Sequence, residues 1–207
     1  MRYYPIFLSL RGRRCVVVGG GKVAERKVRT LLRAQASVRV LSPELTPRLA
    51  QFAAQKKISV TRRAYRKGDL GRPLLVFAAT SDPRVQRAVR EEAEAVGALV
   101  NTADNRERST FLVPASLARG DLQVAISTSG ASPALARNLR RRLQAMLGRE
   151  YEARLRFLRE ARGEVLKLVP RQKERARVLR KLVAGWYEVK SRKLNVEGRQ
   201  SKAKRQE

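Results

Sequence analysis

The chain has 207 residues, 43% of them hydrophobic, with 47 Lys and Arg against 18 Asp and Glu, a formal charge of +29 and no histidine. Such a length suits one sizeable α/β domain with a smaller appendage. The missing histidines and the single cysteine, Cys15, exclude histidine triads, Cys/His zinc sites and any intramolecular disulfide. No apolar run approaches the roughly 18–20 residues of a membrane helix. The start, Met1-Arg2-Tyr3-Tyr4-Pro5, leads into a short apolar stretch broken by Arg11, Arg13 and Arg14, unlike a secretory leader. A soluble, cytoplasmic protein is expected, and its basic excess calls for something anionic: nucleic acid, a membrane surface or a polycarboxylate substrate.

In chain order, Cys15-Val16-Val17-Val18 is a short apolar run ending in Gly19-Gly20-Gly21, the pattern of a buried strand entering a tight turn. Cys15, at its edge, reads as an inert buried thiol. Val23, Ala24, Val28, Leu31 and Leu32 follow at helical spacing, and Val38-Arg39-Val40-Leu41 forms a second strand closed by Ser42-Pro43. The right-handed crossover rule makes these two strands parallel. Leu74 to Ala79 gives another strand, followed by Thr80-Ser81-Asp82-Pro83 and a helix carrying Val85, Ala88, Val89, Ala93 and Val96, with Gly97 as its stop. Leu99-Val100 is a further strand, leading to Asn101-Thr102-Ala103-Asp104.

Beyond Asp104 the pattern changes. Phe111-Leu112-Val113 and Leu122 to Ile126 read as strands connected through an Arg119-Gly120-Asp121 turn. Ser132-Pro133 pairs an N-cap residue with an N1 proline, and Leu135, Leu139, Leu143 and Leu147 then recur every four residues before Gly148. That stripe meets the first unit or a second chain. From Tyr151 to Tyr187 the chain reads as one or two basic helices broken at Pro170, and from Lys190 as a disordered tail. The predicted fold class is α/β: a Rossmann-type parallel-sheet domain (1–105), a small α+β unit (106–148), a basic helical segment (149–189) and a basic tail (190–207).

The spacing Gly19-x-Gly21-x-x-Ala24 fits the dinucleotide fingerprint. Gly19 permits the tight turn, Gly21 lets backbone approach a pyrophosphate, and Ala24 allows close helix–strand packing. Lys22 and Val23 open the helix whose N–H groups and dipole favour phosphate. An ordinary strand-to-helix turn is the plainer alternative, but the surrounding βαβ unit favours a bound dinucleotide. The acidic residue that normally ends the second strand is absent, since Leu41-Ser42 stands there. Ser42, Pro43 and Glu44 are therefore the expected ribose-side contacts, with Glu44 as the substitute acid. Arg39 could face a 2′-phosphate, although its place within the strand favours solvent, and the choice between NAD and NADP stays open. Thr80, Asn101 and Thr102, at strand ends, are assigned to the nicotinamide side, with backbone capping as the alternative. Asp104 follows a strand's carboxyl end, where open α/β sheets bind ligands, with a turn or helix-cap aspartate as the plainer alternative.

Several motifs converge on one family: Tyr4-Pro5-Ile6-Phe7-Leu8, the run from Val16 to Lys27, Phe77-Ala78-Ala79-Thr80-Ser81-Asp82, Asn101-Thr102-Ala103-Asp104, and the run from Ala125 to Arg137. Over residues 4–148 the sequence resembles the precorrin-2 dehydrogenase family, the N-terminal module of siroheme synthase. The resemblance implies NAD-dependent oxidation of precorrin-2 to sirohydrochlorin by a homodimer, with 106–148 as the dimerisation unit. Some members also insert iron or cobalt into the product, which here would fall to Asp104 and hydroxyl groups. No resident metal is expected. Asp104 matches the family's proposed catalytic aspartate and would act as the base. Thr128, Ser129 and Arg137 would hold substrate carboxylates, with a plain loop and N-cap as the alternative for the hydroxyl residues, and in some relatives a serine at the position of Thr128 serves in modification or metal handling. The competing reading is a nucleotide-sensing or nucleic-acid-binding module without chemistry. The lack of interleaved aromatics in 190–207 speaks against base stacking.

Overall fold

In the computed structural model, which describes residues 3–103 and 109–185, the chain divides into two units, one of residues 1–114 with 127–133 and one of 115–126 with 134–207. The first unit is built on β1 (Arg14–Val18), α1 (Lys22–Arg33), β2 (Ser37–Leu41), α2 (Pro47–Ala54), β3 (Ser59–Thr61), β4 (Leu75–Ala78), α3 (Pro83–Ala95) and β5 (Leu99–Thr102). Its five strands are parallel, in the order β3-β2-β1-β4-β5. This is the Rossmann-type sheet expected from the alternation of strands and helices. The chain leaves β1 in one direction for β2 and β3 and returns for β4 and β5 on the other side. The order therefore reverses between β1 and β4, the place where such sheets open a crevice at their carboxyl ends.

Both sheet faces are covered, which explains why β1 and β4 are apolar at consecutive positions rather than at alternate ones. Val17, Val40 and Phe77 point to the face where α1 buries Ala24, Val28 and Leu31 and α2 buries Leu49 and Phe52. Val16, Val18, Val76 and Val100 point to the other, against Val89 and Ala93 of α3. On that side Glu92 accepts hydrogen bonds from the backbone N–H groups of Gly68 (2.8 Å) and Leu70 (2.9 Å) and from the Tyr65 hydroxyl, which ties the loop before β4 to α3.

Two elements, α2 and β3, were not anticipated. The α2 start carries the usual signals, with Thr46 as N-cap accepting from Leu49 N and Pro47 beside it, but its eight residues present too short a stripe to stand out. Strand β3 has three residues and little apolar content. Arg39 also departs from expectation: instead of facing solvent it donates to Thr61 Oγ1 (3.1 and 3.3 Å) and to the Asp69 carbonyl (3.2 Å), half-buried.

The segment Phe111-Leu112-Val113 is not a strand. The Phe111 ring packs edge-on against Phe77, with centroids 5.5 Å apart and an 81° interplanar angle, and Thr110 N donates to the Val100 carbonyl. These contacts draw the segment across the outer side of β5. The strand that does pair with β7 (Leu122–Ile126) is β6 (Ala115–Arg119), antiparallel, with Arg119 opposite Leu122 across the expected turn at Gly120.

In the second unit the hairpin is accompanied by α4 (Pro133–Met146) and α5 (Glu150–Leu168), with residues 172–185 helical beyond the break at Pro170. Asp121 in the hairpin turn pairs with Arg159 of α5, and Arg154 donates to the Leu182 carbonyl. The leucine stripe of α4 is not buried here: Leu135 is 50% and Leu139 37% exposed, and the buried residue of the helix is Ala136. Among the described residues no helix is long and apolar enough to cross a membrane. The tail expected at 190–207 lies outside the described residues.

Candidate functional site

At the carboxyl ends of β1, β2 and β4 a cleft of about 640 Å³ opens between the glycine turn, the segment Ser42–Thr46, the segment Ala79–Ser81 and Ala103. The turn is shaped by close backbone approach. Gly19 has φ +117°, and a β-carbon on it would stand 2.4 Å from the Ala79 carbonyl oxygen. At Gly20 a β-carbon would meet the Glu44 carbonyl oxygen at 1.9 Å and Ser42 Oγ at 2.7 Å. Gly21 differs, because its absent side chain points into open space. Gly21 also lines the cleft, so its bare backbone is open to close approach by a group such as a pyrophosphate.

Helix α1 begins at the cleft with Gly21 as its N-cap and no side chain closing its first turn. By contrast Thr46 caps α2 and Asp82 caps α3. The first N–H groups of α1, together with the positive end of its dipole and the Lys22 side chain at the rim, present donors and positive charge to an anion. The residues present thus fit the diphosphate of a dinucleotide. Among the described residues lining the cleft, Lys22 and Glu44 are the charged ones.

The lining is itself held in place. Gly19 N donates to the Leu41 carbonyl and Thr46 N to the Gly20 carbonyl, at 2.9 and 3.0 Å. Thr46 Oγ1 donates to Glu25 Oε2 at 2.8 Å, fastening the segment Ser42–Thr46 to the first turn of α1. Opposite, Gln86 of α3, only 6% exposed, donates through Nε2 to the Thr80 carbonyl at 2.7 Å, while the Thr80 hydroxyl accepts from Asp82 N at 3.3 Å.

Gly19, Gly21, Lys22, Val23, Ser42, Pro43, Glu44 and Thr80, all expected at the cofactor, come together along this one cleft. Asn101 and Thr102 do not line it. Both are buried at the end of β5, where Thr102 N and Oγ1 contact Ser109 Oγ at 3.0 and 3.1 Å. Asn101 Nδ2 donates to the Phe111 carbonyl at 3.1 Å, and Asn101 Oδ1 accepts from Lys27 Nζ at 3.3 Å. Lys27, on α1, also lies 5.1 Å from the centre of the Phe77 ring. Burial, with a smaller contribution from the neighbouring Arg26 charge, pushes its ammonium down from 10.5 to about 8. Asp104 lies outside the described residues.

Thr128 and Ser129 sit in the loop before α4. The Thr128 hydroxyl accepts from Ser132 N and donates to the Ser132 carbonyl, both at 3.1 Å, and Ser129 adopts a left-handed φ of +48°. Arg137 is exposed on α4. Gln86 and Lys27 were missed as candidates. Gln86 had a signal, a polar side chain in register with Val89 and Ala93 on the buried stripe of α3. Lys27 had none, since one lysine among many on a basic helix does not declare its burial.

A family model described as "Putative NAD(P)-binding" matches residues 6–115, and one described as sirohaem biosynthesis protein central matches residues 119–146. The siroheme synthase of Chromobacterium violaceum is 44% identical over 157 residues, which is 76% of this chain and 33% of that protein. The siroheme synthase of Nitrosomonas eutropha is 39% identical over 189 residues, 89% of this chain and 39% of that protein. The chain thus spans about a third of the length of the curated relatives it matches. A solved structure named SirC, precorrin-2 dehydrogenase, is 28% identical with a TM-score of 0.75, and the match covers 87% of this chain and 89% of that one.

Proposed function

Because the chain belongs to this NAD(P)-binding family, with the sirohaem central module behind it, we propose that it is an NAD-dependent precorrin-2 dehydrogenase of siroheme biosynthesis, working in the cytoplasm. The observation that carries the reading is the cleft at the β1–β4 switch point, with α1 opening uncapped onto it, in a chain that aligns with nearly the whole of a precorrin-2 dehydrogenase. The reaction takes a hydride and a proton from precorrin-2 and yields sirohydrochlorin, NADH and a proton. NAD, when bound, supplies the hydride acceptor. The chain's part is to hold the diphosphate on the N–H groups of α1 and Gly21, to take the ribose at Ser42, Pro43 and Glu44, and to set the nicotinamide side through Thr80, with Asn101 and Thr102 supporting the strand end beyond it.

Asp104 is the proposed base that takes the proton from precorrin-2. Thr128, Ser129 and Arg137 are the proposed holders of substrate carboxylates, and the basic surface steers a polycarboxylate toward them. The exposed Leu135, Leu139 and Met146 of α4 support assembly as a homodimer through the segment 106–148, since apolar side chains on a single helix are covered most economically by a second copy.

The test is turnover. Incubation with precorrin-2 and NAD should produce sirohydrochlorin with stoichiometric NADH, and Asp104→Ala should abolish it while NAD affinity stays within about twofold. No turnover with either NAD or NADP would sink the proposal, and salt-sensitive, sequence-dependent RNA binding in its place would favour a nucleic-acid-binding module.

A further inference from the structure

Lys27 is a cation on α1 whose Nζ reaches the far end of the sheet. It donates to Asn101 Oδ1 at 3.3 Å, while the same amide donates through Nδ2 to the Phe111 carbonyl at 3.1 Å. The two contacts select one orientation of the amide. Reversed, the amide would set its NH₂ against an ammonium and its oxygen against a carbonyl, two repulsive contacts in place of two attractive ones. The ring beneath adds to the fit: Phe77, 5.1 Å from Nζ, offers its π-face to the charge and packs edge-on against Phe111. Lys27, Asn101, Phe77 and Phe111 therefore form one contiguous set joining α1, the ends of β4 and β5, and the chain after β5.

We propose that Lys27 is a positioning residue for the oxidation, acting through Asn101 to hold the carboxyl end of β5 and the Phe111 segment in fixed relation. The role rests on the dehydrogenase reading above. Asn101 is the last residue but two before Asp104 in the sequence, so the strand end that Lys27 fastens is the one from which the chain runs on to the proposed base. A half-buried ammonium is a costly means of holding two segments together, because desolvation has already lowered its proton affinity to about 8. A methionine would fill the same space without that cost. The presence of the charge is accounted for by the orientation it imposes on the amide.

The experiment compares the full chain with Lys27→Met, Lys27→Arg, Asn101→Leu and the double variant Lys27→Met/Asn101→Leu, measuring melting temperature, NAD affinity, and kcat and KM with precorrin-2. Lys27→Met is expected to lower kcat about tenfold or more while NAD affinity stays within about twofold. Lys27→Arg should recover most of the loss, and the double variant should be no worse than the more damaged single one, as for residues that act as a unit. Four results each overturn the role: an unchanged kcat in Lys27→Met, a loss carried by NAD affinity instead, an arginine variant as poor as the methionine one, or additive losses in the double variant. Lys27→Gln replaces Lys27→Met, with the same criteria, where the methionine variant does not fold. A wild-type chain inert toward precorrin-2 removes the dehydrogenase reading and this role together. An active wild type beside an equally active Lys27→Met removes this role alone.

Discussion

Gly20 lies directly beneath the carbonyl of Glu44, so close that a β-carbon would stand 1.9 Å from that oxygen. Gly21, its neighbour, faces open space within 4 Å. The two glycines therefore differ in kind: the protein's own backbone excludes a side chain at Gly20, whereas Gly21 is open to the cleft it lines. Gly20→Ala is expected to lower unfolding free energy by about 3 kcal/mol through forced backbone displacement and to weaken NAD binding as a result. Gly21→Ala is expected to leave stability within about 0.5 kcal/mol yet weaken NAD at least about tenfold, which is ~1.4 kcal/mol. Urea unfolding and NAD titration of the two variants separate these effects; equal losses of stability would refute the distinction.

Glu44 is the acidic residue among the described residues that line the cleft, and is the proposed ribose partner. A carboxylate there accepts from ribose hydroxyls and repels a 2′-phosphate. Glu44→Lys is expected to move the ratio of NAD to NADP affinity toward NADP by roughly 10–100-fold, about 1.4–2.8 kcal/mol. Paired titrations of both dinucleotides read this directly, and an unchanged ratio would place the ribose elsewhere in the cleft.

Lys27 gives a dependence of stability on pH whose sign is unusual for a lysine. Its folded pKa is depressed, from 10.5 to about 8, so between those values the unfolded chain binds more protons than the folded one. Stability then rises with pH across that window. The penalty for burying the ammonium is fully present below about pH 8 and is gone by pH 10.5. Other groups titrate nearby, so the measured quantity is the difference in unfolding free energy between wild type and Lys27→Met. That difference should shift in favour of wild type as pH is raised through the window, and a flat difference would mean that Lys27 is solvated.

Much of this was legible in the sequence. Strands β1, β2, β4 and β5, helices α1, α3 and α4, and the glycine turn all follow from apolar periodicity and punctuation residues, because in each the local pattern and the tertiary environment agree. The failures have physical causes. Phe111-Leu112-Val113 has the composition of a strand, but the hydrogen bonds from Thr110 and Asn101 and the contact with Phe77 hold it in another conformation. Ala115-Ser116-Leu117-Ala118-Arg119 lacks strand composition yet pairs because the turn at Gly120 sets it opposite β7. At the site, sequence spacing marked the residues that line the cleft but not those that brace it. Thr46 and Lys27 act through contacts with residues distant in the chain, about which spacing carries no information, whereas Gln86 reaches the nearby Thr80 and was marked only by its place on the buried stripe of α3.

Glu92 illustrates the cost of losing such a brace. Its carboxylate receives Gly68 N, Leu70 N and the Tyr65 hydroxyl, with Leu70 fully buried. Glu92→Leu leaves the donors unmatched and is expected to reduce stability by about 2–3 kcal/mol, with NAD affinity unchanged. Chemical denaturation with and without NAD measures both, and a loss under about 0.5 kcal/mol would show that water replaces the carboxylate.

The two rims of the parallel sheet carry a consequence for edge-to-edge association. A bare strand edge is a template on which a second polypeptide can extend the sheet. On one side the rim is β3, three residues long, with Arg39 bonded to Thr61 and the charged Arg62 and Arg63 following. On the other, the backbone of β5 is already engaged: Val100 N donates to Thr110 Oγ1, Val100 O accepts from Thr110 N, and Thr102 N donates to Ser109 Oγ. At the β5 border these groups are taken, whereas the β3 border is only three residues long. Edge-to-edge growth of this sheet is therefore opposed by engaged backbone at the β5 border and by shortness and flanking charge at the β3 border.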